Sequence, residues 1–305
     1  LTIVLLFICL GFRGFSQPAF TISDEYLQIN AGAASPLYTT YAATINRSRL
    51  YGDKAYKMDY YSPGEPLNFS SDHAGRIFTS WRVNSVVVDK MSKYFSAPVV
   101  KASFPDMALI EYDLWKGLHV EELFFVYSSS IAMVDITLTN TSENTLTIDA
   151  YPTLELGNDS LHITAWNREE NAYILSHSES LTRLISNLSS KYPYPTRCRD
   201  IFTADLQPWS TGGYNGTIDD MYNFIKRDFY AEKNNHDSLN CLQGGNIDLA
   251  VLHYRFAVEP GQAKHFRFFR GCQDIAENEN TLLAEISKLK NEPLQPFIDD
   301  NIRLF

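Results

Sequence analysis

Apolar and polar residues alternate with a period of two along much of the middle of this chain. Met107 to Trp115, Leu118 to Tyr127, Ile131 to Thr139 and Leu146 to Leu156 are four strand-like runs joined by short polar connections. In the third run Val134, Ile136 and Leu138 share one face, while Asp135, Thr137 and Thr139 share the other. After the polar turn Asn140-Thr141-Ser142-Glu143-Asn144, Leu146, Ile148 and Ala150 resume the apolar face. One buried and one solvated face predict antiparallel sheets, and the chain reads as all-β. Ile77 to Val88 predicts a hairpin with Asn84-Ser85 in its turn. From Asp248 to Val258, Leu252, Tyr254, Phe256 and Val258 face one way and His253, Arg255 and Glu259 the other. Pro260-Gly261 then predicts a tight turn, with Lys264 to Arg270 returning as a hairpin partner.

Past Cys272 the period becomes 3.6. Leu282, Leu283, Ile286 and Leu289 form one helical stripe, and Leu294, Phe297, Ile298 and Ile302 form another. These stripes run to Phe305 with no cap or polar tail, which predicts that they pack against a domain beyond it. The stretch from Ala19 to about Asn68 is tyrosine-rich and turn-rich, with short β-like pieces. Residues 178–246 read as an irregular insertion: Tyr192-Pro193-Tyr194-Pro195 and Trp209-Ser210-Thr211-Gly212-Gly213-Tyr214 are loop-like, and Met221 to Tyr230 predicts a short helix. Long irregular segments in compact domains are often functional.

Leu1 to Leu10 is almost wholly apolar but falls short of the ~20 residues that span a bilayer. With small residues at Gly14 and Ser16, residues 1–17 read as a signal peptide that lacks its own beginning, cleaved near Ser16-Gln17. The alternative is a buried strand. Export to a periplasmic, cell-surface or extracellular location follows, with no membrane span in the mature chain. An apolar content of 45% fits a globular chain, and 13% aromatic residues supply a deep core or sugar-stacking surfaces. A net charge of −10 without any basic run excludes a nucleic-acid partner.

Cys9 falls in the signal, leaving Cys198, Cys241 and Cys272 with no C-x-x-C spacing, so no metal site is expected. Cys198–Cys241 is a candidate disulfide, Cys241–Cys272 is equally allowed, and three buried thiols are the remaining possibility. His73, His119, His162, His177, His236, His253 and His265 show no metal-binding spacing. His253 and His265 are expected to face each other across the Pro260-Gly261 hairpin as surface neighbours. Glu121-Glu122 cannot act as a paired acid and base, because neighbours on a strand point to opposite faces; one is expected in solvent and the other at a sheet margin. Asp219-Asp220 and Asp299-Asp300 read as solvated charge. No nucleophile elbow, phosphate loop or dinucleotide fingerprint occurs, so neither a catalytic residue nor a cofactor is assigned. Trp81 and Trp115 read as core, whereas Trp209 and Tyr214 are the candidate substrate-binding residues. Asn46, Asn68, Asn140, Asn158, Asn187 and Asn215 begin glycosylation triplets.

Several pieces in order resemble the N-terminal β-supersandwich domain of exported bacterial six-hairpin glycosidases, a group with mannosylglycerate-hydrolase-like, trehalase-like and glycogen-debranching-like members. They are Ala74-Gly75-Arg76-Ile77-Phe78-Thr79-Ser80-Trp81-Arg82-Val83-Asn84, Val120-Glu121-Glu122-Leu123-Phe124-Phe125-Val126, Val134 to Ser142, and Phe256-Ala257-Val258-Glu259-Pro260-Gly261. Phe268-Phe269-Arg270-Gly271 and the helix after it are similar to that group's linker into the catalytic barrel. The resemblance implies a large antiparallel, galactose-mutarotase-like sandwich over 18–272 and linker helices over 273–305. It also implies a C-terminal (α/α)6 catalytic domain in the same polypeptide, which would hold the acid and base. The expected function is that of a non-catalytic domain of an exported glycoside hydrolase with carbohydrate as its ligand. The alternatives are a free-standing carbohydrate-binding or adhesion module on Trp209 and Tyr214, and a small-sugar epimerase using a His and Glu pair such as His119 or His253 would supply.

Overall fold

The computed structural model describes residues 40–48, 55–59, 62–71, 75–156, 161–178, 197–227 and 246–304. The expected signal peptide and Cys241 lie outside the described residues. Two antiparallel sheets face each other. Sheet A contains β1 (Thr40–Tyr41), β2 (Tyr56–Asp59), β3 (Asn68–Ser71), β4 (Gly75–Val83), β10 (Leu146–Glu155), β16 (Leu249–Val258) and β14 (Ser210–Tyr214) in that order, with β5 (Val86–Val88) beside β4. Sheet B runs β15 (Asn246–Ile247), β11 (Leu161–Asn167), β12 (Ala172–Ser178), β13 (Arg197–Ala204), β17 (Ala263–Asp274), β9 (Ile131–Asn140), β8 (Leu118–Ser128), β7 (Met107–Trp115) and β6 (Val99–Phe104). The all-β sandwich expected from the alternation is therefore observed.

The apolar faces read from the sequence meet in the middle. Val134, Ile136 and Leu138 of sheet B share one core with Trp81, Ile148, Leu252 and Tyr254 of sheet A. Aromatic contacts cross the gap: Phe69 stacks on Phe124 at 3.9 Å, and Trp81 meets Phe266 edge-on at 6.4 Å. The β4–β5 hairpin turns on Asn84 and Ser85, whose φ angles of 47° and 74° are the left-handed pair that a tight hairpin with matching strand twist requires.

Pro260-Gly261 does not close a hairpin. β16 pairs with β10 and β14, whereas β17 pairs with β13 and β9, so the chain crosses from one sheet to the other at this turn. His253 and His265 consequently lie in different sheets, on faces turned away from the core, and are not neighbours. Alternation marks which residues face the core, and both strands satisfy it by contributing Tyr254, Phe256 and Phe266 to a shared aromatic cluster. The β9-to-β10 link makes a second crossing beside the first.

Asn140 binds the two crossings together. Its amide nitrogen donates to Asn144 O and Val258 O at 2.8 Å each, and its Oδ1 accepts from Ser142 N and Ser142 Oγ. At 0% exposure it cannot accept a glycan in the folded chain, despite its triplet. Asn140→Ala would strip partners from a carbonyl buried at the crossing and is expected to destabilise the fold by about 3 kcal/mol, read as a lower urea midpoint.

Both sandwich faces carry helices. Helix α1 (Ile218–Arg227) sets Met221, Tyr222 and Ile225 against Phe78, Tyr151 and Val251 on the outer face of sheet A. Helices α2 (Glu279–Leu289) and α3 (Gln295–Leu304) cover the outer face of sheet B, where Leu282, Leu283, Ile286, Leu289, Leu294 and Ile298 pack on Phe104, Leu123, Phe125, Met133 and Phe269. Gly271 makes room for α2, since a Cβ there would lie 3.0 Å from both Ile286 Cδ1 and Leu282 Cδ2. Arg267 Nη1 donates to Leu289 O and Glu292 O at 2.7 and 3.0 Å, satisfying carbonyls at the end of α2. The Arg47 guanidinium sits among Phe125, Tyr127 and Phe297 at 5.3–5.4 Å and donates to Asp106 at 2.8 Å. Sheet B thus covers most of both stripes inside this chain, with Phe297 and Ile302 partly buried. No described helix is long and apolar enough to cross a membrane.

Candidate functional site

Within the segment expected to be irregular, Ser210–Tyr214 forms edge strand β14, held to β16 from Ser210↔His253 to Tyr214↔Leu249. Its glycines disguised it, because Gly212 and Gly213 have poor strand propensity. Gly212 serves close packing: a Cβ there would lie 3.2 Å from the Tyr214 ring, which folds back over it. Trp209 precedes the strand, its backbone N–H donating to His253 O at 2.7 Å. The structure therefore brings the predicted Trp209 and Tyr214 to one edge of sheet A, both half-buried. Six residues of extended chain reach roughly 17 Å between them, less the fold-back of Tyr214.

Behind this strip lies a charged network on the same face. Asp149 stands opposite Arg82 on β4 and Arg255 on β16. It accepts from Arg82 Nε at 3.0 Å, Arg255 Nε at 2.6 Å and His253 Nε2 at 2.8 Å. Burial pushes the Asp149 carboxyl up, but the hydrogen bonds from His253 and Arg255 and the charge of Arg82 outweigh it and hold the group down at about 2. The Ser210 hydroxyl lies 2.9 Å from His253 Nδ1. Tyr151 stacks on the His253 ring at 4.5 Å, and the Arg255 guanidinium lies 5.3 Å from the centre of the Trp209 ring. Arg82 Nη1 donates to Ile225 O at 3.1 Å, tying the network to α1.

Ser210, His253 and Asp149 form a hydrogen-bonded series with the composition of a hydrolytic triad, yet the wiring differs. The serine meets Nδ1 and the acid meets Nε2, the reverse of that template, and the acid is already neutralised by two guanidiniums. The arrangement fixes a rigid hydrogen-bonding face with Ser210 and Arg255 half-buried at its rim. Alternation alone places His253 and Arg255 on one polar face, whereas the roles of Ser210, Asp149 and Arg82 depend on cross-strand register.

The other acidic pairs fall where ordinary structure accounts for them. Glu121 and Glu122 do point to opposite faces, but Glu122 is not at a sheet margin. It is buried in the core, where it accepts from Tyr112 Oη at 2.9 Å beneath the Tyr94 ring. Burial raises its carboxyl to about 7. Glu121 lies on the outer face beside Glu111, and burial together with that charge raises it. Asp220 accepts from Thr217 N at 2.9 Å at the start of α1, and Asp300 pairs with Arg303 on the surface of α3. Trp81 is buried and Trp115 packs on the core edge, as expected. His119 pairs with Asp113 at 3.0 Å on the surface.

No protein-family model and no curated protein matches the chain. Among solved structures, a putative kojibiose phosphorylase from the human microbiome is similar at a TM-score of 0.45 and 7% identity, over 93% of this chain and 36% of that one. A heparinase III aligns at 0.40 and 7% identity over 79% and 35% of the two chains. A mutant heparan sulfate lyase from Pedobacter heparinus aligns at 0.37 and 8% identity over 82% and 36%. The chain thus spans about a third of the length of these structures.

Proposed function

We propose that this chain is a non-catalytic, carbohydrate-binding β-sandwich of an exported glycoside hydrolase, with the acid and base on an (α/α)6 barrel elsewhere in the polypeptide. The observation that carries the reading is the rim of sheet A. Trp209 precedes and Tyr214 ends an edge strand there, and Arg255 and Ser210 add hydrogen-bonding groups beside them. A sugar presents an apolar ring face and a hydroxyl edge, and an indole beside fixed polar groups complements both. Arg255 occupies one face of the indole, so the sugar takes the other. Asp149 remains ionised through the physiological range and Glu122 is sealed in the core, so neither serves as a general acid for a glycoside on this face. The ordered pieces from Ala74 to Gly261 that resemble the glycosidase sandwich supply the enzymatic context.

Calorimetric titration with a panel of neutral and uronic-acid oligosaccharides tests the binding. Trp209→Ala is expected to weaken the best ligand at least about tenfold, equivalent to roughly 1.4 kcal/mol, with the unfolding midpoint little changed. A panel without any binder would remove the proposal.

A further inference from the structure

A second polar cluster lies inside the sandwich, at a different place from the Trp209 rim. It is built by three adjacent strands of sheet B. His177 on β12 stands opposite Cys198 on β13, and Cys272 on β17 stands opposite Asp200, two residues along from Cys198. Because side chains alternate, His177, Cys198, Asp200 and Cys272 all project from the same face of the sheet. That face is the inner one, since Phe202 and Phe268 continue it into the inter-sheet core.

We infer that His177, Cys198 and Cys272 bind a single thiophilic d10 metal ion, zinc or copper(I). Their donor atoms lie within 4.8 Å of one another, and the residues are 7%, 1% and 3% exposed. Tetrahedral zinc with Zn–S bonds of about 2.3 Å places its sulfurs roughly 3.8 Å apart, so the donors need close by no more than about 1 Å. Thiolate and imidazole are the donor types that soft ions select. The imidazole is already oriented, because Asp200 contacts its Nδ1. A carboxylate behind a histidine is the usual support of a metal-binding ring. Asp200 is in turn held by Arg270, whose Nη1 donates to Tyr56 Oη at 3.2 Å, so the support reaches across to sheet A.

Charge and register both favour a metal over a disulfide. Two thiolates balance a divalent ion, and with copper(I) the remaining negative charge faces Arg270. Cys198 and Cys272 are diagonal neighbours across β13 and β17, an arrangement that separates Cα atoms by about 7–8 Å. A disulfide prefers about 4.4–6.8 Å. The three ligands are far apart in sequence, so no spacing motif announced them, and this assignment departs from the expectation of no metal site. The position inside the sandwich makes the ion a clamp across β12, β13 and β17.

The test is to unfold the purified full chain, refold it under reducing conditions with zinc, copper(I) or cobalt(II) as probes, and remove loose metal by desalting. One equivalent of zinc or copper(I) by elemental analysis is expected, with the cobalt form showing thiolate-to-metal charge-transfer absorption. Cys272→Ser is expected to abolish that absorption. Where a serine variant fails to fold, alkylation of the wild type decides, with Cys198 and Cys272 protected in the metal-loaded chain and modified at least tenfold faster after chelation. A wild-type chain that refolds yet retains no ion, or in which Cys198 is found bridged to Cys272 or Cys241, would overturn the assignment.

Discussion

Asp149→Ala is expected to destabilise the fold by about 3–5 kcal/mol, the usual cost of leaving buried charge without its partner. The side chain of Arg82 is 2% exposed, and without Asp149 its buried cation would lose its carboxylate partner, as would His253 and Arg255. Replacing both members by apolar residues, as in Arg82→Met with Asp149→Leu, should cost less than the sum of the single changes. Chemical denaturation of Asp149→Ala and of the four proteins in the cycle measures both terms. The same carboxylate sets an acid limit. Its folded pKa of about 2 lies below the unfolded value of 3.8, so its contribution is fully present above the unfolded value and is lost as pH falls through the folded one. That contribution amounts to roughly 2–3 kcal/mol and should vanish from the acid limb in Asp149→Ala.

Glu122 should produce the opposite dependence. Its folded pKa of about 7 exceeds the ordinary glutamate value of 4.5, because burial penalises the carboxylate more than the Tyr112 hydroxyl relieves it. The folded chain therefore holds a proton that the unfolded chain has released between these two values, and stability falls as pH rises through that window. The loss approaches roughly 3 kcal/mol above pH ~7. Glu122→Gln removes the ionisation while keeping an acceptor for Tyr112. It is expected to match the wild type near pH 4 and to exceed it at pH 8, by a thermal shift of several degrees. His177 and His265, lowered by burial but held above the ordinary imidazole value by Asp200 and Asp135, are common to both proteins and cancel in the difference curve. Equal stability of the two at pH 8 would show that Glu122 is not desolvated.

Much of the sandwich was legible because its inner faces follow a strict period of two. Val134, Ile136 and Leu138 face the core as expected, and the Asn84-Ser85 turn closes the hairpin that its sequence predicts. Sheet membership was not legible. The Pro260-Gly261 turn looks the same whether the chain doubles back or crosses the sandwich, and the decision lies with Asn140 and the register of distant strands. The partner of the terminal helices left a trace that alternation conceals. Leu123-Phe124-Phe125-Val126 and Phe268-Phe269 are consecutive apolar runs, the mark of strands covered on both faces, and α2 and α3 supply the second cover.

The candidate site was half legible. Trp209 and Tyr214 stand out by residue type, but the strand that follows Trp209 and ends at Tyr214 is hidden by its glycines. The Asp149 network requires residues from β4, β10, β14 and β16 to meet, which single-sequence reading cannot assemble. The same holds for His177, Cys198 and Cys272, where pairing within one sheet supplies the proximity that sequence spacing does not.

The most direct test of a binding sandwich without its own chemistry follows one incubation by two readouts. The chain is mixed with the oligosaccharide panel, binding is followed by tryptophan fluorescence, and the sugars are then separated by chromatography. Saturable binding that is lost in Trp209→Ala is expected, with every oligosaccharide recovered intact. Cleavage of a glycoside at an enzyme-like rate by the purified chain would contradict it.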